Sequence, residues 1–277
     1  MNRIYRGPIK AVILDWSGTT VDKYVVAPAR VFVDVFSKHG VPITMREARR
    51  PMGLRKDLHI ARLLQMPDIK VRWIKRYGKE PSPLDVENMF RDFVGIQMGC
   101  LAEYAELLPE TAETVDLLRK QFGVKIGSTT GFTKQMVDVL LRESEKQGYS
   151  PDVSVAGDEV TSGARPGPFM IYRNLDLLGI YPITSVVKVD DTIGGIGEGL
   201  NAGCWTVGIS RWSNYMDFDR PNDDKIVGNY EIRRRVIRTR GILNDAGAHF
   251  VIETLGQLPT VINMINSLLK YGYTPYN

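Results

Sequence analysis

Four short apolar runs, each stopping abruptly at small or polar residues, constrain the fold of this chain more than any other feature. They are Ala11–Leu14 before Asp15, Val124–Gly127 before Ser128-Thr129-Thr130-Gly131, Ser185–Val189 before Asp190-Asp191-Thr192, and Trp205–Ile209 before Ser210. A weaker fifth is Val153–Ala156. Short runs without polar alternation fit strands buried on both faces. Helical patterns lie between them, at Glu113–Gln121, Lys134–Lys146 and Met170–Leu178. That alternation predicts an α/β fold, a Rossmann-like parallel sheet covered by helices on both sides.

Residues 24–103 read differently. Helical periodicity appears at Val31, Val35 and Phe36, again over Leu58–Leu64 and again over Val86–Met98, punctuated by Pro42, Pro51, Pro67, Pro81 and Pro83. No convincing strand occurs there. With 277 residues the chain can build a core and an insert. We therefore expect residues 1–23 and 104–277 to form the α/β core and 24–103 a helical cap. Short hinges are expected near Asp22–Val25 and Glu103–Leu108, because an insert leaves and re-enters at one place.

Composition excludes several classes of function. No segment approaches the roughly 20 unbroken apolar residues that span a bilayer, so no membrane partner is expected. The basic Met1–Lys10 stretch and the short apolar run after it do not read as a secretory signal. Cys100 and Cys204 stand at no metal-ligand spacing, which fits a reducing cytoplasm. The basic cluster Arg233, Arg234, Arg235, Arg238 and Arg240 raises nucleic-acid binding as a possibility. A solvated helix face with Ile232, Val236 and Ile237 turned inward accounts for it as well, and no nucleic-acid partner is expected. A net charge of +4 suits a small anionic substrate.

Ligands of an open parallel sheet bind outside the carboxyl ends of its strands. Here those ends carry Asp15, Thr129-Thr130 and Asp190-Asp191. Carboxylates beside hydroxyls and glycine-permitted turns suit Mg2+ and a phosphate, since magnesium prefers oxygen ligands. A carboxylate can also attack phosphorus, giving an acyl phosphate that water later cleaves.

The loop Asp15-Trp16-Ser17-Gly18-Thr19-Thr20 resembles the nucleophile loop of the haloacid dehalogenase superfamily, which usually reads Asp-x-Asp-x-Thr. Its third position is Ser17, where the superfamily's phosphatases carry their general acid/base. In this respect the chain is similar to the phosphonoacetaldehyde hydrolases, which typically carry Asp-Trp-Ala-Gly-Thr-Thr. Pro51-Met52-Gly53-Leu54-Arg55-Lys56, followed by His59, is similar to that family's cap motif, whose lysine forms a Schiff base with substrate. Lys125-Ile126-Gly127-Ser128-Thr129-Thr130-Gly131 is similar to its second motif, whose last threonine contacts phosphate; Phe132 stands where a tyrosine is usual. Gly163-Ala164-Arg165-Pro166 resembles the third motif, and Val189-Asp190-Asp191-Thr192 the acidic fourth. Some members carry a further Asp where this chain has Gly195. Gly247-Ala248-His249-Phe250 through Glu253-Thr254 resembles the C-terminal segment, so the likeness runs from about residue 8 to 260.

The resemblance implies a haloacid dehalogenase-type core with a helical cap, and hydrolysis of the carbon–phosphorus bond of phosphonoacetaldehyde. It implies Asp15 as nucleophile and Lys56 as the Schiff-base amine. Thr130, Arg165, Met52, Gly53 and His59 would surround the substrate, with Mg2+ on Asp15, the Ser17 carbonyl and Asp191. It further implies a homodimer formed through cap helices. The lysine makes chemical sense of the missing acid at position 17. No oxygen bridges carbon to phosphorus, so protonating a leaving group does not help, whereas a protonated imine accepts the departing electron pair. Such a lysine must be partly neutral, through desolvation or nearby positive charge, to which Arg55 could contribute. A small-molecule phosphatase or phosphomutase is the alternative, and calls for an acid at position 17 and no Lys56. A catalytically silent phosphate binder would be expected to lack Asp15, Lys56 or Asp191. His39 and His249 are expected to be structural.

Overall fold

A computed structural model describes residues 4–276. The elements in chain order are β1 (Ala11–Leu14), α1 (Val26–Lys38), α2 (Met45–Arg49), α3 (Lys56–Leu64), α4 (Pro67–Tyr77), α5 (Pro83–Cys100), α6 (Thr111–Phe122), β2 (Lys125–Thr130), α7 (Lys134–Glu145), β3 (Val153–Ala156), α8 (Phe169–Leu178), β4 (Val186–Asp190), α9 (Ile193–Ala202), β5 (Trp205–Ile209), α10 (Asn229–Asp245), β6 (Phe250–Ile252) and α11 (Leu258–Lys270). The strands form one sheet in the order β3-β2-β1-β4-β5-β6, and every neighbouring pair is parallel. This is the doubly wound order, with its switch point between β1 and β4. β1, β4 and β5 are buried along their whole length, which is why their sequences show no polar alternation.

The register fixes the rim. Leu14 lies level with Ser128 on one side and with Val189 on the other. The next residues, Asp15, Thr129 and Asp190, therefore emerge together at the switch point.

Three boundaries differ from the sequence reading. β2 continues to Thr130 instead of ending at Gly127, because Thr129 and Thr130 pair with Val155 and Ala156. β4 is displaced by one residue and includes Asp190. β6, only three residues on the sheet edge against β5, carries too short a pattern to be read as a strand. Helix α9 was also illegible, since Gly194, Gly195, Gly197 and Gly199 argue against a helix. Thr192 caps it by accepting from the Gly195 amide. Gly199 lets it lie close on the sheet: a Cβ there would stand 2.4 Å from Thr206. On α10, Val236 is buried but Ile237 is 65% exposed, so the inward orientation expected for Ile237 is wrong.

Between β1 and β2 the chain is helical from α1 to α6, and no strand from that span joins the sheet. Helices α1–α5 share a buried cluster that includes Phe32, Phe36, Leu63, Trp73, Met89 and Phe93. The two connections to this insert run side by side: Val21 bridges Leu107, and the Leu108 amide donates to the Thr20 carbonyl at 2.8 Å. Asp22, Tyr24 and Val25 all adopt left-handed backbone, with φ of 55°, 66° and 54°. For a β-branched valine that is a strained conformation. No helix is long and apolar enough to cross a membrane among the described residues.

Candidate active site

The loop after β1 is held from several sides. The Asp15 amide donates to the Val189 carbonyl at 3.0 Å, and the Thr20 hydroxyl donates to the Asp15 carbonyl at 3.0 Å. The buried Trp16 indole donates to Ser128 Oγ at 3.0 Å, locking the loop to β2. Gly18 has a φ of +82°, and a Cβ there would lie 2.5 Å from Asp191 Oδ2. Glycine is required so that the acid of the β4 loop can approach.

Three carboxylates meet at the switch point. Asp15, Asp190 and Asp191 are buried and offer oxygens within 4.8 Å of one another, forming the acidic cluster able to hold a metal ion among the described residues. Asp191 Oδ2 accepts from the Asn214 amide at 2.8 Å, while its Oδ1 is buried without a hydrogen-bond partner among the described residues. Burial, then the charges of Asp190 and Asp15, push the Asp191 pKa well above the carboxylate range. Burial and Asp190 raise Asp15 to about 6, against the opposing pull of Arg165 and Lys188. An orphaned buried oxygen amid mutually repelling acids is a donor set that fits a hard divalent cation.

The positive charge beside these acids is as deeply buried. Arg165 Nη2 donates to Asp15 Oδ1 at 2.7 Å and to Thr129 Oγ1 at 2.8 Å, and its Nε donates to Glu198 Oε2 at 2.9 Å. Lys188 Nζ donates to Thr129 Oγ1 at 2.7 Å and lies 3.0 Å from Asp190 Oδ2. Burial works against the Arg165 charge, but Asp190, Asp15 and Glu198 outweigh it and hold its pKa well above the usual value. Lys188 and Arg165 likewise overcome burial at Asp190 and lower its pKa. Asp190 also explains Gly195: a Cβ built there would lie 1.9 Å from the Asp190 carboxylate. An acid from position 190 fills the space of a side chain at 195.

The insert supplies the opposite wall. Lys56 opens α3, is only 5% exposed, and sits 4.7 Å above the Phe132 ring and 5.9 Å from the Phe32 ring. Burial lowers its pKa to about 8, with Asp15 opposing that fall and Arg165 adding to it. Arg55 is not the responsible cation, because it pairs with Asp57 at 2.7 Å. His59, three residues along the helix, donates from Nε2 to the Ala48 carbonyl at 2.8 Å and stacks on Phe32. Burial and then Lys56 hold its pKa well below normal. The ring is therefore neutral, and its buried Nδ1 is an unpaired acceptor among the described residues. Met52 packs with Val25 and Ala29. Gly53, with φ of +99°, rests on Thr192, and a Cβ there would meet Thr192 Oγ1 at 2.6 Å. On the other side the Leu54 carbonyl rests on Gly131, where a Cβ would lie 2.4 Å away. Thr130 is buried, its Oγ1 accepting from the Phe132 amide at 3.2 Å.

The sequence-predicted residues thus lie in the loop after β1, at the β2 and β4 ends, at Arg165, and on the insert loop seated against both. Sequence reasoning passed over Lys188, Glu198 and Asn214, and placed Thr129 and Asp190 at the rim without a role of their own. A lysine inside the buried run Val186–Asp190 was the available signal; Glu198 and Asn214 carried none. His39 pairs with Asp92 at 2.9 Å and His249 bonds Thr206 at 2.7 Å, both away from the site.

A haloacid dehalogenase-like hydrolase family model matches residues 9–203. Phosphonoacetaldehyde hydrolase of Syntrophobacter fumaroxidans is 41% identical over 274 residues, covering 99% of this chain and 98% of the relative. That of Bacillus cytotoxicus is 44% identical over 258 residues, covering 93% and 96%. Among solved structures, a phosphonoacetaldehyde hydrolase-like protein from Oleispira antarctica superposes with a TM-score of 0.95 at 36% identity, over 99% of both chains.

Proposed function

This chain belongs to the haloacid dehalogenase-like hydrolases, and from that membership we propose how its site carries out the hydrolysis of a carbon–phosphorus bond. The chain is a phosphonoacetaldehyde hydrolase, releasing acetaldehyde and phosphate. The observation that carries the mechanism is a desolvated Lys56, held against Phe32 and Phe132, that feels the charge of the buried Asp15.

Residues 24–103 act as a cap that closes Lys56 over the strand ends and excludes water. The neutral Lys56 amine adds to the substrate aldehyde and, with one proton taken up from solvent, water leaves and a protonated imine results. His59 backs the lysine as a neutral ring, and the aromatic rings of Phe32 and Phe132 keep the amine dry. An Asp15 carboxylate oxygen then bonds to phosphorus as the carbon–phosphorus bond breaks. The bond's electron pair moves into the imine, leaving an enamine on Lys56. Protonation at carbon restores the imine, and water releases acetaldehyde and the free amine. A second water cleaves the aspartyl phosphate to phosphate and Asp15. Thr130 and Arg165 hold phosphoryl oxygens by hydrogen bonds and charge. Gly53 gives the substrate room and Met52 supplies an apolar wall. Asp15, the Ser17 carbonyl and Asp191 would hold Mg2+, which when bound neutralises charge on the transferring group. The free Cys100 and Cys204 support a reducing, cytoplasmic setting. Exposed Val71, Ile74 and Leu84 on α4 and α5 support a homodimer through these helices.

The test is to incubate the enzyme with phosphonoacetaldehyde and magnesium and follow both products, then to add borohydride. Equal acetaldehyde and phosphate, and a reduced adduct on Lys56, are expected. Lys56→Arg keeps the charge but cannot condense with an aldehyde, and should lose cleavage by several orders of magnitude. Parent-rate cleavage by this variant, or trapping on another lysine, refutes the mechanism.

A further inference from the structure

Cap closure requires something to hold the insert on the sheet, and Arg49 is built for it. This last residue of α2 is 4% exposed and reaches across the seam. Its Nη1 donates to the Tyr24 carbonyl at 2.5 Å and to Asn214 Oδ1 at 3.1 Å, and its Nη2 donates to the Phe218 carbonyl. Asn214 answers by donating from Nδ2 to the Arg49 carbonyl at 3.2 Å. The Asn214 backbone amide bonds Asp191 Oδ2 at 2.8 Å, and the neighbouring Ser213 hydroxyl bonds the Asp191 carbonyl at 2.8 Å. One guanidinium thus joins the strained first hinge, the insert, and the loop that aims an acid of the site.

We propose that Arg49 is the clasp of the closed state and, through Asn214, a positioning residue for Asp191. The proposal rests on the cap reading above. Among the described residues no carboxylate pairs with Arg49 at ion-pair distance: its hydrogen bonds go to neutral acceptors, its buried Nε has no partner, and Asp217, Asp219, Asp22 and Asp191 act on its charge from further off. A buried cation hydrogen-bonded by carbonyls and an amide is stable only while all of them stay in place. When the insert lifts, the guanidinium and its acceptors return to water together. The clasp is therefore all-or-none. The left-handed Tyr24, whose carbonyl Arg49 holds, is free to relax at the same moment. Closure consequently delivers Lys56 and fixes Asp191 in a single event.

The experiment uses the full chain with magnesium, as parent, Arg49→Ala and Arg49→Lys. Hydrogen exchange is read over 22–26 and 213–218, kcat and KM are measured with phosphonoacetaldehyde, and ethylguanidinium is added to Arg49→Ala. We expect Arg49→Ala to exchange faster in those two segments alone. We expect kcat to fall at least tenfold with KM changed less, Arg49→Lys to rescue poorly, and ethylguanidinium to restore both protection and kcat. Parent-like exchange and kcat in Arg49→Ala overturn the proposal. So does faster exchange spread evenly over the chain, or a folded variant that ethylguanidinium does not rescue. If the parent itself releases no acetaldehyde, the functional reading falls, and the exchange measurements alone decide the clasp.

Discussion

Replacing Lys56 with Met should stabilise this protein while abolishing its reaction. The side chain is 5% exposed, and burial takes its pKa from the ordinary 10.5 down to about 8. At about 1.4 kcal/mol per pH unit, holding the ammonium in this place costs about 3 kcal/mol. The sign follows from proton counts. Below pH 8 both folded and unfolded chains carry the proton, and the folded state bears the full cost. Between about 8 and 10.5 the unfolded chain keeps its proton while the folded one has lost it, so parent stability rises with pH. Above 10.5 the cost is gone. Methionine is unbranched and of similar volume, so it should fill the space over Phe132 without a cavity. The assay is denaturant unfolding of parent and Lys56→Met in chelator, from pH 6 to 10. The variant should gain about 3 kcal/mol near pH 7, and the gain should shrink as pH climbs past 8. A variant no more stable at pH 7, or a gain that does not change with pH, refutes the account of Lys56 as a desolvated amine.

Asp191→Asn should weaken magnesium binding and activity together, and calorimetry with Mg2+ alone separates this from a defect in chemistry. Gly131→Ala adds a methyl whose conflict is with the Leu54 carbonyl of the insert. It should therefore lower kcat for phosphonoacetaldehyde by at least tenfold while leaving the unfolding midpoint near the parent's; equal activity removes Gly131 as a seat. Gly195→Ala should displace the Asp190 carboxylate and cost about 3 kcal/mol by unpairing buried charge. The double variant Asp190→Gly, Gly195→Ala should recover part of that loss, and strict additivity of the two would argue against shared space.

The sequence by itself determined the sheet, because its strands are buried on both faces and write that burial as continuous apolar runs. It also determined which residues end those runs, and hence the acids at the rim. The loop around Lys56 was legible as a motif, and the helical span around it as periodicity with proline punctuation. Where local pattern was weak the sequence was silent, as at the three-residue edge strand and the glycine-rich α9. Where it was ambiguous the reading went astray, as with Ile237 and with Arg55 as the cation beside Lys56. What only the tertiary structure decided was proximity. Desolvation of Lys56 depends on Phe32 and Phe132, which reach it from another helix and from the loop after β2. Its cationic neighbour is Arg165, far along the chain, while the adjacent Arg55 is neutralised by Asp57. The exchange of space between Asp190 and Gly195, the burial of Lys188 against Glu198, and the grip of Arg49 on Asn214 have no local signature. Burial and Coulomb interaction depend on distances through space, and those exist only once the strands and the insert have been brought together.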